Sequence, residues 1–347
     1  MNSRYKIAAL PGEGIGLEVV EATLVILQEV AKKHGFKLQI DYALIGQQAF
    51  EKYGSHFPRE TARICSHADG ILFGAVSKGG LLELRKEFDF FVNLRPVKVF
   101  PSLISNSSLK SDRLVGVDIL FVRELVSGIY FGASGRKEDE RGNYGYHTMQ
   151  YHDWQIKRIA RVALKKARQR RGLLTVVHKE NALPCLPWTK LVNQVTQTYP
   201  DVKVEPMLVD NLAMQLVTNP QYFDVILAGN LFGDILSDIG GALVGSVGLL
   251  GSASLNQEGL GLYEPIHGTA PDIAGKDRAN PLGTLASAMM MLEQWGEVEA
   301  VNTLQQTWDS LLNRGYRPQD LYNSPDTEIL VGTQELVQLF TAQIRNS

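Results

Sequence analysis

The run Asp224-Val225-Ile226-Leu227-Ala228-Gly229-Asn230-Leu231-Phe232-Gly233-Asp234-Ile235-Leu236-Ser237-Asp238 reads as a buried strand, a glycine turn and a helix, the order expected of an α/β unit. Asp234 and Asp238 stand at i and i+4, so they share one helix face near the helix start. Two carboxylates so placed repel each other unless a positive charge sits between them, and their hard oxygens suit a divalent cation. Solvated surface acids are the plainer reading of any such pair. Here Phe232, Ile235, Leu236 and Ile239, with the nearly uncharged Gly240-Gly241-Ala242-Leu243 behind them, leave the helix little face for solvent and favour a site.

The same rhythm extends along the chain. Strand-like runs at 7–10, 37–42, 70–73, 118–122 and 173–177 alternate with helical periodicity at 17–34, 153–171, 188–198 and 281–295, which predicts the α/β class. At 347 residues two domains are expected rather than one. The polar segment Arg136-Lys137-Glu138-Asp139-Glu140-Arg141-Gly142-Asn143-Tyr144-Gly145-Tyr146 is too short for a linker. It reads as a protruding loop or hairpin, either solvated or clasping a second subunit.

Composition narrows the function. A net charge of -2 gives no overall reason to expect nucleic acid or an anionic membrane as partner. The basic cluster Lys165-Lys166-Ala167-Arg168-Gln169-Arg170-Arg171 ends an amphipathic stretch and is read as a solvated helix end complementing the dipole. Two cysteines, Cys65 and Cys185, exclude a disulfide framework and a thiolate zinc site. Met1-Asn2-Ser3-Arg4-Tyr5-Lys6 leads straight into a strand-like run with no signal-peptide pattern, and no uncharged apolar run reaches membrane-spanning length, so a cytoplasmic protein is expected.

Candidate site residues lie at strand ends and in loops, where α/β proteins place ligand-contacting groups. Arg85, Arg95 and Arg123 each sit beside apolar residues or at a strand end. Singly each reads as a structural ion pair; together they suit an anionic substrate such as a dicarboxylate, because a guanidinium fork pairs with carboxylates and keeps its charge. Tyr130 stands between Gly128 and Gly132, and Lys179 follows the 173–177 strand; alone they read as a core tyrosine and a surface amine. Glu264-Pro265-Ile266-His267-Gly268-Thr269-Ala270-Pro271-Asp272-Ile273-Ala274-Gly275 is a long irregular loop of the kind that carries function, though His267 alone would be a hydrogen-bonded loop residue. Pro11-Gly12-Glu13-Gly14-Ile15-Gly16 lacks the third glycine of a dinucleotide fingerprint, Leu17 standing there, and reads as a tight strand-to-helix turn.

Taken in order, these segments resemble the β-decarboxylating dehydrogenases, the family of isocitrate, isopropylmalate, homoisocitrate and tartrate dehydrogenases, from Ile7 to the C-terminal helix. The resemblance implies an intertwined homodimer of two-domain subunits with a central sheet in each domain: residues 1–100 with 251–347, carrying much of the NAD site, and residues 101–250, carrying the dimer interface and the metal carboxylates. It implies Mg2+ or Mn2+ on Asp234 and Asp238 with Asp210 from the other subunit. Arg85, Arg95 and Arg123 would grip the substrate carboxylates. Lys179, also from the other subunit, and Tyr130 would be the acid/base pair of an oxidative decarboxylation. Glu264, His267, Gly268, Ala270, Asp272, Ile273 and Asn280 would form the nucleotide site. Asp272 followed by Ile273 implies NAD, since the family's NADP users tend to place Lys and Tyr there and a carboxylate repels a 2′-phosphate.

The resemblance also bears on the substrate. Isocitrate enzymes carry Ser and Asn at the positions of Gly79 and Leu81; Leu81 and Leu82 match the isopropylmalate type, where they line an apolar pocket. Asn181 and Ala182 are further substrate-pocket positions, and Ala182 replaces a Val that usually contacts the isopropyl group. Between Val76 and Gly79 the chain is shorter than the isopropylmalate enzymes by about a dozen residues, and Lys78 stands nearest the Glu lost with them. Both changes enlarge the pocket. The expectation is a small-molecule, apolar 3-substituted malate, 3-isopropylmalate of leucine biosynthesis first, with 3-benzylmalate or a longer 3-alkylmalate as alternative. A non-catalytic regulatory paralogue in a hetero-oligomer is the reading from another class.

Overall fold

The computed structural model describes residues 3–346, so Met1 and Asn2 of the N-terminal reading lie outside it. The strands run β1 (Arg4–Gly12), β2 (Lys37–Tyr42), β3 (Gly70–Ala75), β4 (Val92–Lys98), β5 (Asp118–Glu124), β6 (Ser134–Asp139), β7 (Gly142–His147), β8 (Leu173–His178), β9 (Lys203–Leu208), β10 (Val225–Ala228), β11 (Gly251–Leu255) and β12 (Gly261–Pro265). Ten of them form one mixed sheet, in the order β2-β1-β3-β12-β11-β4-β5-β10-β8-β9. The α/β class is as expected. The sheet is not divided, however: β4 and β5 pair antiparallel from Val92 opposite Glu124 to Lys98 opposite Asp118, so no open edge separates the halves and one shared sheet replaces a sheet in each.

Alternate residues of the central strands face opposite layers. Phe121, Ile226 and Ala228 join the core that contains Leu236, Leu243 and Val244 of the helix Asn230–Val244. Leu120, Val122, Val225 and Leu227 pack on the other side against Ile156, Ile159 and Ala163 of the helix Asp153–Arg168 and Leu191 and Val192 of the helix Trp188–Thr196. The helix Asn230–Val244 starts after an extended Gly229 and stops at Gly245, whose φ of 95° lets its N–H close the last turn on the Gly241 carbonyl. One flank differs from expectation: Ile235 is 59% exposed.

The polar segment at 136–146 is a two-stranded hairpin, β6 with β7, exposed along nearly its whole length. The basic cluster is more than a solvated helix end. Its helix stops at Arg168, which pairs with Asp201, while Arg170 Nε and the Arg171 N–H both donate to the buried Asp224 at 2.8 Å. Those bonds staple the approach to β8 onto the start of β10, where a buried carboxylate demands partners. Among the described residues no helix is long and apolar enough to cross a membrane.

Candidate active site

A cleft of about 350 Å³ opens beside the ends of β3, β5 and β12. Its polar wall is Arg85, Arg95, Arg123, Tyr130, Asp234, Glu264 and His267, and its apolar wall includes Val76, Leu81, Leu82 and Ile266. Leu81 and Leu82 open the helix Leu81–Glu87, and Arg85 lies one turn further on, so a single short helix presents both the apolar wall and a cation. The nearby loop adds Gly268.

The register of β4 and β5 explains the arginine pair. Asn93 stands opposite Arg123, so Arg95, two residues along β4, is its diagonal neighbour on the same face. Both guanidinium groups are buried and face the helix Asn230–Val244. Arg123 Nη1 donates to Asp234 Oδ1 at 2.5 Å; Arg95 lies 3.4 Å from Asp234 and 3.1 Å from Asp238. The positive charge between the two acids is thus the Arg95 guanidinium. Its remaining bonds go to Asn93 Oδ1 at 2.8 Å and Ser237 Oγ at 2.7 Å.

Electrostatics sets the two acids apart. Burial works to raise the Asp234 pKa, but Arg123 and Arg95 outweigh it and hold this carboxyl below its ordinary range. For Asp238, burial and the Asp234 charge together win over Arg95 and push the carboxyl up. Tyr130 donates to Asp234 Oδ2 at 3.0 Å; burial and that carboxylate raise its pKa, so the phenol keeps its proton. Arg85 forms a buried pair with Glu264 at 2.7 Å, joining a residue expected on the substrate to one expected on the nucleotide.

Behind the site, Glu124 follows Arg123 at the end of β5 and accepts bonds from Ser127 N at 3.0 Å and Ser127 Oγ at 2.8 Å. Burial pushes its carboxyl up from an ordinary 4.5 to about 7. The folded chain therefore keeps a proton that the unfolded chain loses. Its stabilisation is complete below about pH 4.5 and fades as pH rises through about 7. Glu124→Gln is expected to gain melting temperature over wild type between about pH 5 and pH 8; parallel melting curves would contradict this.

Of the expected nucleotide residues, His267 donates from Nδ1 to the Gly268 carbonyl at 3.0 Å, which leaves Nε2 buried without a partner among the described residues. Burial lowers its pKa and keeps the ring neutral. Ala270 takes a φ of 37°, Asp272 is exposed, and Ile273 packs on Ile15 and Val19. Asn280 is buried, donating to Asp320 Oδ2 at 3.0 Å. The tight turn at 11–16 buttresses this loop, Ile15 N donating to the Thr269 carbonyl at 2.9 Å.

Lys179, Asn181, Ala182 and Asp210 do not line the cleft of their own chain. Lys179 Nζ instead donates to Asp210 Oδ1 at 2.5 Å, and the ammonium holds that carboxyl below its ordinary range. Asn181 and Ala182 are exposed in the turn that follows β8. Among the described residues of the one chain no group of three or more His, Cys, Asp or Glu is placed to hold a metal ion. Sequence reading missed Asn93, Ser237, Asn230 and Tyr151, which hold the arginines and the helix start. All four are uncharged at neutral pH, and only the strand register and the packing bring them together.

A sequence model described as isocitrate/isopropylmalate dehydrogenase matches residues 6–340. The chain is 44% identical to a 3-isopropylmalate dehydrogenase of Aquifex aeolicus (strain VF5), over 96% of this chain and 95% of that one. It is 45% identical to a 3-isopropylmalate dehydrogenase of Zymomonas mobilis, over 91% and 95%. The crystal structure of isocitrate dehydrogenase from Methylococcus capsulatus superposes with a TM-score of 0.88 at 28% identity, covering 98% of this chain and 99% of that one. The chain belongs to the isocitrate/isopropylmalate dehydrogenase family. It is an oxidoreductase of that family.

Proposed function

We propose that the chain catalyses the NAD-dependent oxidative decarboxylation of 3-isopropylmalate. The observation that carries this reading is one cleft in which three arginines and Asp234 face an apolar wall of Leu81, Leu82, Val76 and Ile266. Its relatives named 3-isopropylmalate dehydrogenase support the choice of substrate.

Asp234 and Asp238 offer hard oxygens on a single helix face, which fits Mg2+ or Mn2+. The orphaned His267 Nε2 in the cleft wall fits a nucleotide, and the exposed Asp272 carboxylate disfavours a 2′-phosphate and so selects NAD over NADP. Bound there, the ion would supply Lewis-acid chemistry and the nucleotide a hydride acceptor. Arg85, Arg95 and Arg123 hold the substrate carboxylates. Lys179, released from Asp210 and in its neutral amine form, takes the proton of the C2 hydroxyl as C2 is oxidised; the C3–carboxylate bond then breaks, releasing carbon dioxide and leaving its electron pair on the substrate, and Tyr130 delivers a proton to C3.

Lys179 and Asp210 come from a second copy of the chain in this reading. Their pairing with each other, away from Asp234, supports it. So do the apolar side chains of Met214, Val217 and Ile235, exposed on the neighbouring helices Val209–Thr218 and Asn230–Val244, as an isologous dimer requires. We place the division between the two domains at 100/101 and 250/251, where β4 meets β5 and the chain returns through β11.

The short turn at 76–80 and the small Ala182 favour a second substrate reading, 3-benzylmalate or a longer 3-alkylmalate. Presence of Lys179, Tyr130, all three arginines and all three aspartates argues against a regulatory paralogue. Steady-state kcat/KM with Mn2+ is expected to rank an apolar 3-substituted malate above isocitrate, and NAD above NADP. Neighbouring alkyl substituents should differ modestly, since one methylene is worth about 1–3 kcal/mol. Isocitrate turning over best would overturn the apolar pocket.

A further inference from the structure

Asn230, the first residue of the helix Asn230–Val244, is fully buried and its side chain uses its whole hydrogen-bonding capacity. Nδ2 donates to the carbonyls of Leu125 at 3.0 Å and Ser127 at 2.8 Å. Oδ1 accepts from Arg123 Nε at 3.1 Å and Nη2 at 2.7 Å. Its backbone N–H, one of the unpaired donors at a helix start, donates to the Tyr151 hydroxyl at 2.8 Å, in the role that a capping side chain takes where Gly229 has none.

The two carbonyls belong to the segment that leads into the turn Gly128–Tyr130. Tyr151 presses on the same turn from behind: a Cβ on Gly128 would lie 2.3 Å from its hydroxyl, and Gly128 has a φ of 77°. The Tyr151 ring is itself braced edge-on by Trp188, with ring centroids 5.2 Å apart. The Asn230 carboxamide therefore touches both the cation of the cleft and the strand exit that carries Tyr130. Asp234, which accepts from both Arg123 and Tyr130, lies one turn along the same helix.

We propose that Asn230, backed by Tyr151, is a positioning residue for the reaction: its carboxamide sets the angle of the Arg123 fork and the place of the Tyr130 turn relative to Asp234. This rests on the roles given above to Arg123 and Tyr130. Asn230 takes one hydrogen each from Nε and Nη2, and Asp234 takes one from Nη1. One hydrogen then remains on each terminal nitrogen of the guanidinium, the pair needed to grip a carboxylate. An Arg123 free to rotate would offer the same charge without that aim.

The test compares wild type, Asn230→Ala, Asn230→Ser and Tyr151→Phe by steady-state kinetics and by crystal structures. Misplacing Arg123 by the order of 1 Å is expected to cost Asn230→Ala about 100-fold in kcat/KM for the malate, carried mainly by KM. The KM for NAD should change by less than about 2-fold, because that loop shares no partner with Asn230. Asn230→Ser, whose hydroxyl still accepts from Arg123, should recover part of the loss. Tyr151→Phe, which keeps the ring, should lose roughly 2- to 10-fold, the worth of one hydrogen bond. A merely structural role would lower the active fraction and leave both KM values alone; that outcome, or an Arg123 unmoved in the Asn230→Ala crystal structure, overturns the proposal. A wild-type chain without turnover would instead sink the assignment of the reaction.

Discussion

Asp234→Asn is expected to lower kcat by about 10³-fold or more at saturating Mn2+ while the chain keeps its fold. Asp234 accepts from Arg123 at 2.5 Å and from Tyr130 at 3.0 Å, and stands 3.4 Å from Arg95. An amide offers one acceptor oxygen and turns its NH2 toward donors, so at least one of these groups loses its partner. It also replaces one of the anionic carboxylates proposed for the ion by a neutral amide. The fold survives because Arg95 keeps Asp238, Ser237 and Asn93, and Arg123 keeps Asn230. Some melting temperature is lost, since two buried cations share less counter-charge. Circular dichroism with kcat measured over a Mn2+ titration checks both parts. A rate equal to wild type would remove Asp234 from the chemistry.

Much of this arrangement is legible in the sequence because it depends on residue type and period. The strand at Val225–Ala228 and the helix after it follow from an apolar run, a glycine and an i, i+4 spacing, and the three arginines announce themselves by a charge beside apolar neighbours. What is hidden depends on pairing between distant segments. Nothing in the local pattern says that β4 runs antiparallel to β5, yet that register alone places Arg95 diagonally from Arg123. Arg85 and Glu264 lie 179 residues apart in the chain and meet only because the helix Leu81–Glu87 ends near β12. The positive charge required between Asp234 and Asp238 was foreseeable by Coulomb repulsion, whereas its identity as Arg95 was not. Asn230 was in plain view within the opening run, but a neutral amide carries no signal of its own until the arginine behind it is placed. Asp224 is a similar case: it reads as the edge of a strand and proves to be a buried acid that ties Arg170 and Arg171 to the sheet.

The exposed Ile235 and the Lys179–Asp210 pair lead to the second large effect. If each cleft is completed by Lys179 and Asp210 of another copy, Lys179→Met and Asp234→Asn chains are each inactive alone, yet a mixture of the two regains activity. In a mixed dimer one cleft carries both substitutions and the other carries neither. Random association makes half of the dimers mixed, each with one intact site, so roughly a quarter of wild-type activity should return after co-refolding or co-expression. Mixing the folded proteins at low temperature should restore less, because exchange requires the apolar faces around Met214, Val217 and Ile235 to part. Ile235→Glu places a charge on that face. It is expected to shift the chain toward monomer in sedimentation and to abolish turnover together, although Ile235 does not line the cleft. Failure of complementation with both single variants folded and dimeric would remove Lys179 and Asp210 of a second copy from the cleft. The pair at 2.5 Å would then be a surface ion pair of the ordinary kind, with little bearing on the chemistry.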